Sequence, residues 1–407
     1  MVTDWRNTTR SGSQALRALF LTAFSHFTLE LCQNFLPVLY PLLITSMGLH
    51  YTQIGVIALT ITLTGSILQP FFGFLSDRLG PERVCALSVL WLGLLMGLVG
   101  LMPNYWMLLA LVALASVGSA AYHPPGAVIA TANSGARRGA GMSLFSVGGN
   151  LGAALSPLWI TLWIGHLGAS STLTVIPVAL VVCLLLYWRA SHQARNQHAQ
   201  TTSVQRIVGK EYLLGLILIV IGAMTRSWFQ VSLTTYLPAW IQGSGGTLAQ
   251  GSQLLSIFLF AIGAGSLIGG FISDRLGASG PWLVVFIFTA LLSPAYWIFL
   301  HTSSTLQMLA LIFVGIAVGC TYPTNILLAH DAWPRQMALA SGLVMGIGWA
   351  PGGIGASFTG YVADHASLTA SLQWLIVPPL LGTVTIIAYH FLENWRPRFV
   401  LSKNRLE

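Results

Sequence analysis

Charge is scarce in this chain: 18 Lys and Arg and 10 Asp and Glu among 407 residues, or 7% where a soluble domain carries about 25%. The shortage excludes an ordinary cytosolic enzyme, a disordered chain and a nucleic-acid-binding module, whose basic patch would have to be solvated. Cysteine is nearly absent too. Cys32, Cys85, Cys183 and Cys320 each lie in or beside an apolar run and none forms a C-x-x-C pair, which argues against a disulfide framework and a zinc site. They read as small buried hydrophobes. No phosphate-cradling glycine loop is present, so ATP is not the expected energy source and no cofactor is expected. His50, His166, His301 and His365 are too scattered for metal-ligand spacing, and no metal site is expected.

What the chain does have is apolar length. Hydrophobic residues make up 55% and the mean hydropathy is +0.75. A hydrocarbon core about 30 Å thick takes roughly 20 helical residues, and twelve stretches of that order recur. They are Leu16–Met47, Tyr51–Leu75, Val84–Leu101, Tyr105–Thr131, Gly139–His166, Ser171–Trp188, Tyr212–Trp240, Gln250–Leu276, Trp282–Leu300, Thr305–His330, Met337–Val362 and Leu368–Phe391. The expected fold is an all-α integral membrane protein with twelve transmembrane helices. The first stretch is too long for a signal-peptide core and lacks a small-residue cleavage site, so it reads as a mature helix.

The positive residues orient it. All but one of the Lys and Arg residues fall before or at the start of the first stretch, at or after the end of every second one, or at the C-terminus, and none falls in the opposite loops. That face is expected to be cytoplasmic, with both termini on it. Arg226 is the exception, inside the seventh stretch.

Residues 190–210 alone lack apolar periodicity, and they divide the chain into 1–189 and 211–407 with a linker between. The halves repeat one another. Gly73-Phe-Leu-Ser-Asp77-Arg78-Leu-Gly80 returns as Gly270-Phe-Ile-Ser-Asp274-Arg275-Leu-Gly277, and Phe35-Leu-Pro37 as Tyr236-Leu-Pro238. Gly141 and Gly152 return as Gly342 and Gly353. Two pseudo-symmetric six-helix bundles of this kind are the architecture of secondary transporters.

These motifs, with Ser25-His26-Phe-Thr-Leu-Glu30-Leu-Cys-Gln33-Asn-Phe-Leu-Pro37-Val-Leu-Tyr40-Pro41, Thr52-Gln53-Ile-Gly55, Leu68-Gln69-Pro70, His123-Pro124 and Ser143-Leu-Phe145-Ser-Val-Gly148-Gly149-Asn150, resemble the major facilitator superfamily. Within it the chain is similar to fosmidomycin-resistance-type drug exporters. The resemblance implies that fold, a place in the bacterial inner membrane, alternating access and a small-molecule substrate. The Gly148-to-Pro157 run also resembles the helix-five signature of drug/proton antiporters, which implies efflux and a site role for Asn150. Two positions depart from the family pattern. Pro125 stands where an acidic residue would follow His-Pro, and Arg226 where a lysine is expected.

Ionisable groups at membrane depth mark pathways or sites. Glu30 lies near mid-membrane, with His26 one turn earlier and Gln33 and Pro37 continuing its stripe. A His/Glu pair of this kind can relay protons or lock neighbouring helices, and His26 with Glu30 is the expected proton-coupling pair. Arg226, Gln230 and Thr234 form a second stripe, aligned by the repeat so that Arg226 faces His26 across the axis. Arg226 would then meet an anionic substrate or act as the counter-ion of Glu30. His123 precedes Pro124 and Pro125, which are expected to break their helix beside the site. Tyr322-Pro323 with Asn325 is a weaker copy. Tyr40, Trp228 and Phe229 could line an amphipathic cavity. His123, Gln33, Tyr40, Gln230 and Asn150 join Arg226 as expected substrate contacts.

Asp77, Arg78, Asp274 and Arg275 would form the latch that closes the cytoplasmic face, each carboxylate capping a neighbouring helix. Trp106, Trp159, Trp163, Trp188, Trp240, Trp282 and Trp297 fall near span ends as an interfacial belt requires. The expected function is proton-coupled export of a small amphipathic or anionic compound by a monomer among membrane lipids, with no nucleic-acid partner. The alternatives are proton-coupled import of an organic anion, or a lipid-handling or sensory protein without proton coupling. A membrane enzyme fits worst, since no nucleophile and base stand together beyond His26 and Glu30.

Overall fold

In hydrocarbon every backbone polar group must be satisfied within its own segment, and this chain answers with helices. The computed structural model describes residues 5–134, 138–192, 210–333 and 337–395, and they contain no strand. The first half comprises α1 (Trp5–Gln33), α2 (Leu36–Met47), α3 (Tyr51–Ile67), α4 (Gln69–Leu79), α5 (Pro81–Leu98), α6 (Tyr105–Ala132), α7 (Arg138–Leu167) and α8 (Val175–His192). The second comprises α9 (Lys210–Gly243), α10 (Leu248–Arg275), α11 (Gly280–His301), α12 (Ser304–Ala332), α13 (Met337–Gly342), α14 (Pro351–His365), α15 (Leu368–Gln373) and α16 (Val377–Trp395).

Nine of these helical stretches are long and apolar enough to cross a membrane, ten when the bent pair α3 and α4 is taken as one. One of the nine, Gly141–Ala190, holds both α7 and α8. The interrupted α13 and α14 supply the remaining counterpart, so each of the twelve expected stretches has helical structure. Residues 193–209, most of the expected linker, lie outside the described residues, as do Arg137, Arg335 and the basic residues after Trp395.

Proline explains where spans bend. Its missing N–H and the restriction on the residue before it end a helix locally. Pro37 sits in the first turn of α2 just after α1 stops, Pro70 in the first turn of α4, where the axis turns by 47°, and Pro351 opens α14 after a π-turn at Leu343–Ile347. The break expected at Pro124-Pro125 is not there: α6 runs through both prolines. The weaker break at Pro323 is absent as well, since α12 is continuous. Packed neighbours and local adjustment re-satisfy freed carbonyls inside a membrane protein, so proline there need not stop a helix.

The four cysteines are free and buried, as their apolar settings suggest. Trp106, Trp188 and Trp297 are exposed near span ends as a belt requires, but Trp240 is buried and donates to Thr369 Oγ1 at 3.1 Å. Its indole N–H has found an internal partner, which lets the ring pack inside.

Within the first half, α1 packs on α7, and α5 on α6 and α8; within the second, α10 and α11 pack on α12, and α9 on α16. Across the halves, α3 meets α14 and α7 meets α10. Those cross-contacts gather at the end of the molecule away from the arginines. A Cβ on Gly55 would collide with the Ser357 backbone, and one on Gly353 with Leu59 and Thr62, so only glycine permits this approach of α3 to α14. Thr161 donates to Ser252 at 2.6 Å, and Asn150 packs against Gly263. Tyr236 donates to both Tyr51 O and Ala356 O at 2.9 Å. Gly65, Gly270, Gly342 and Gly346, towards the arginine-rich end, face nothing within 4 Å.

Asp364, the last-turn carboxylate of α14, fastens the closed end. Its Oδ1 accepts from Tyr51 N at 2.8 Å, and its Oδ2 from Thr52 N at 2.8 Å and Thr52 Oγ1 at 2.6 Å. These are orphan N–H groups at the start of α3, where the helix dipole also favours an anion. Loss of such a cap costs roughly 1–2 kcal/mol, which changes a two-state ratio by about 5–30-fold. Asp364→Ala is therefore expected to speed labelling of a thiol introduced by Ser357→Cys at this interface, and an unchanged rate would remove Asp364 as a latch.

Candidate functional site

The one membrane-embedded carboxylate does not stand alone. Glu30 Oε1 lies 3.5 Å from His26 Nε2, one turn back on α1, and 3.4 Å from His123 Nε2 on α6. Glu30 Oε2 accepts from Gln33 Nε2 at 2.8 Å and from Asn34 Nδ2 at 2.7 Å. Both rings are held from behind. His26 Nδ1 lies 2.8 Å from Phe145 O, and His123 Nδ1 2.8 Å from Ser119 O. A carbonyl oxygen only accepts, so each Nδ1 carries a hydrogen, and a ring that is neutral turns its Nε2 lone pair towards Glu30. With both rings neutral, three acceptors converge, an arrangement that can take a cation.

The local sequence explains the placement. The Phe145 ring stacks on His26 with centroids 4.0 Å apart, and a side chain at Gly149 would occupy the space of the imidazole. Tyr122 holds the other flank, its hydroxyl 2.6 Å from Ser25 Oγ. The three side chains are 10%, 14% and 31% exposed for His26, Glu30 and His123 respectively, so His123 is the most accessible of them. Their ligating atoms all lie within 4.8 Å of one another, the single such group of His, Cys, Asp and Glu among the described residues.

In the second half Arg226 is 7% exposed. Its Nη1 donates to Gln230 Oε1 at 2.7 Å, and the guanidinium carbon lies 4.9 Å from the Tyr322 ring centroid and 5.4 Å from that of Trp349. Aromatic faces partly solvate a cation, yet Nε has no partner and no carboxylate pairs with Arg226 among the described residues. Of the two roles open to Arg226, the counter-ion of Glu30 is therefore not taken up in this conformation. Glu30 finds its partners within the first half, and Arg226 keeps an unused donor.

The other expected site residues are dispersed. Gln33 and Gln230 serve as second partners of Glu30 and Arg226. Asn150 sits at the α7–α10 contact, and Tyr40 is buried in the core through α2. Asp77 and Asp274 form no ion pair among the described residues, while Arg78 stacks on Phe74 at 4.4 Å and Arg275 on Phe271 at 4.2 Å. The helix-capping expected of those aspartates occurs at the opposite end, through Asp364. Sequence reasoning passed over Asn34, although it stands four residues from Glu30, and Phe145 and Trp349, which only tertiary packing brings in.

Comparison with known proteins agrees with this architecture. The family model of the Major Facilitator Superfamily matches residues 19–356. The Fosmidomycin resistance protein of Escherichia coli (strain K12) is 28% identical over 374 residues, 89% of this chain and 90% of that one. The Multidrug resistance protein MdtG of Yersinia enterocolitica is 26% identical over 200 residues, 48% of each chain. A bacterial homologue of the human lysosomal transporter Spinster, solved in an inward-facing and unoccupied conformation, superposes with a TM-score of 0.78 at 15% identity, covering 95% of this chain and 99% of that one. With a helical membrane fold of two repeated halves and a family match over most of its length, the chain belongs to the major facilitator superfamily: it is a multi-pass membrane transporter and not an enzyme.

Proposed function

We propose that this protein is a proton-coupled antiporter that exports a small amphipathic or anionic compound from the bacterial cytoplasm, with its arginine-rich face and both termini inside. The observation that carries the reading is the division of labour between halves. The first half holds a cluster of acceptors that takes a cation, and the second a buried guanidinium with an unused donor. In an inward-open conformation, substrate from the cytoplasm reaches Arg226 while Glu30 and His26 release a proton. Residues 1–189 and 211–407 then rock about the central site: the Asp364 contact opens, and Asp77, Arg78, Asp274 and Arg275 close the other end. Proton binding from outside resets the carrier. The resistance roles in the names of two relatives favour export over uptake.

Cells expressing the protein, challenged with a panel of toxic anions, cations and neutral amphipaths, test this. Raised tolerance to anions or amphipaths is expected. Increased sensitivity would mean import of those compounds and contradict the reading.

A further inference from the structure

We infer that His26 Nε2, His123 Nε2 and Glu30 Oε1 form a binding site for one divalent transition-metal ion. This goes beyond the proposed function and depends on neither its direction nor its driving ion. A proton shared between two of these groups would draw them to ordinary hydrogen-bond distance, about 2.7–3.2 Å. The observed separations are 3.5 and 3.4 Å. They match the edge of a tetrahedron about a metal whose bonds are about 2.0–2.1 Å long, which is roughly 3.3–3.4 Å. The third edge, between the two imidazole nitrogens, is within 4.8 Å.

The groups around the ligands are those a metal site requires. Each imidazole donates its other N–H to a backbone carbonyl, which fixes the tautomer and aims the lone pair. The ligating carboxylate is held through its far oxygen by Gln33 and Asn34. Phe145 and the space left at Gly149 fix the plane of His26. Two imidazoles and one carboxylate suit Zn2+, Co2+ or Ni2+ and not Mg2+ or Ca2+, which take oxygen sets. Three protein ligands leave a fourth position, on the side where His123 is the most exposed of the three, and water or a coordinating group of a substrate completes the shell.

The test is a Co2+ titration of the full-length chain in detergent, purified without a polyhistidine tag. Tetrahedral Co2+ absorbs visibly. The expected result is a saturable visible spectrum at one cobalt per chain, displaced by Zn2+. His123→Ala should abolish the spectrum, and Asn34→Ala, which only releases the carboxylate, should weaken binding about 10- to 100-fold. His301→Ala and His365→Ala, at exposed positions away from the cluster, should leave it unchanged. No saturable tetrahedral spectrum in the wild type, or one that survives His123→Ala, would overturn the inference. The wild-type result stands even where a variant fails to fold. Gradient-driven transport without a cobalt spectrum would remove the metal site and leave the proposed function intact. A cobalt spectrum without such transport would do the reverse.

Discussion

Glu30→Gln is expected to remove the stimulation of transport by a pH gradient while leaving the protein folded and able to exchange substrate across a membrane without a gradient. The amide keeps the shape of the side chain, and Gln33 and Asn34 can reorient to meet it. It neither accepts nor releases a proton, and it leaves the His26 and His123 lone pairs facing an amide. Coupling free energies between two ligands run to about 1–3 kcal/mol, or roughly 5- to 150-fold in affinity. Gradient-driven flux should fall by a factor of that order, measured with labelled substrate in proteoliposomes. A lipid-handling or sensory protein on this fold would show no effect.

Arg226→Met should produce an opposite pair of changes: greater stability and poorer binding of anions. The guanidinium is buried, its Nε has no acceptor, and no carboxylate repays its desolvation among the described residues. A buried cation without a counter-charge is costly, and its replacement by an apolar side chain of similar length stabilises. The melting temperature of the variant in detergent should therefore rise. Charge-assisted hydrogen bonds contribute about 1.5–3 kcal/mol, so KM for an anionic substrate should increase roughly 10- to 100-fold while that for a neutral amphipath changes little. Arg226→Lys should fall between, because the ammonium keeps the charge but loses the planar fork and its stacking on Tyr322 and Trp349. A destabilised Arg226→Met variant would show that the side chain has a structural partner instead.

Much of this was legible in the sequence because it depends on local periodicity. The twelve stretches, the arginine asymmetry, the pairing of Arg226 with Gln230 and the stripe through His26, Glu30 and Gln33 are all one-turn or one-span relations, which helix geometry preserves. What escaped depends on how helices meet. His123 reaches Glu30 because α6 stays continuous through Pro124 and Pro125, where a break was expected. Asp364 grips Tyr51 and Thr52 from the other half of the molecule, a contact no spacing rule supplies. The pseudo-symmetry placed Arg226 at the counterpart of Ser25, next to His26, but said nothing of ion pairing, and in this conformation each has its own partners. Trp240 followed the belt rule by position and broke it by burial.

On the proposed reading the cluster at Glu30 and the guanidinium of Arg226, one in each half, are linked during transport. The most direct test is flux of an anionic substrate in wild-type proteoliposomes of known orientation, under pH gradients of either sign and with none. Acceleration when protons run against the substrate is the expected result, with the stimulation lost in Glu30→Gln. Acceleration when protons run with the substrate, or indifference to the gradient, would contradict proton-coupled export.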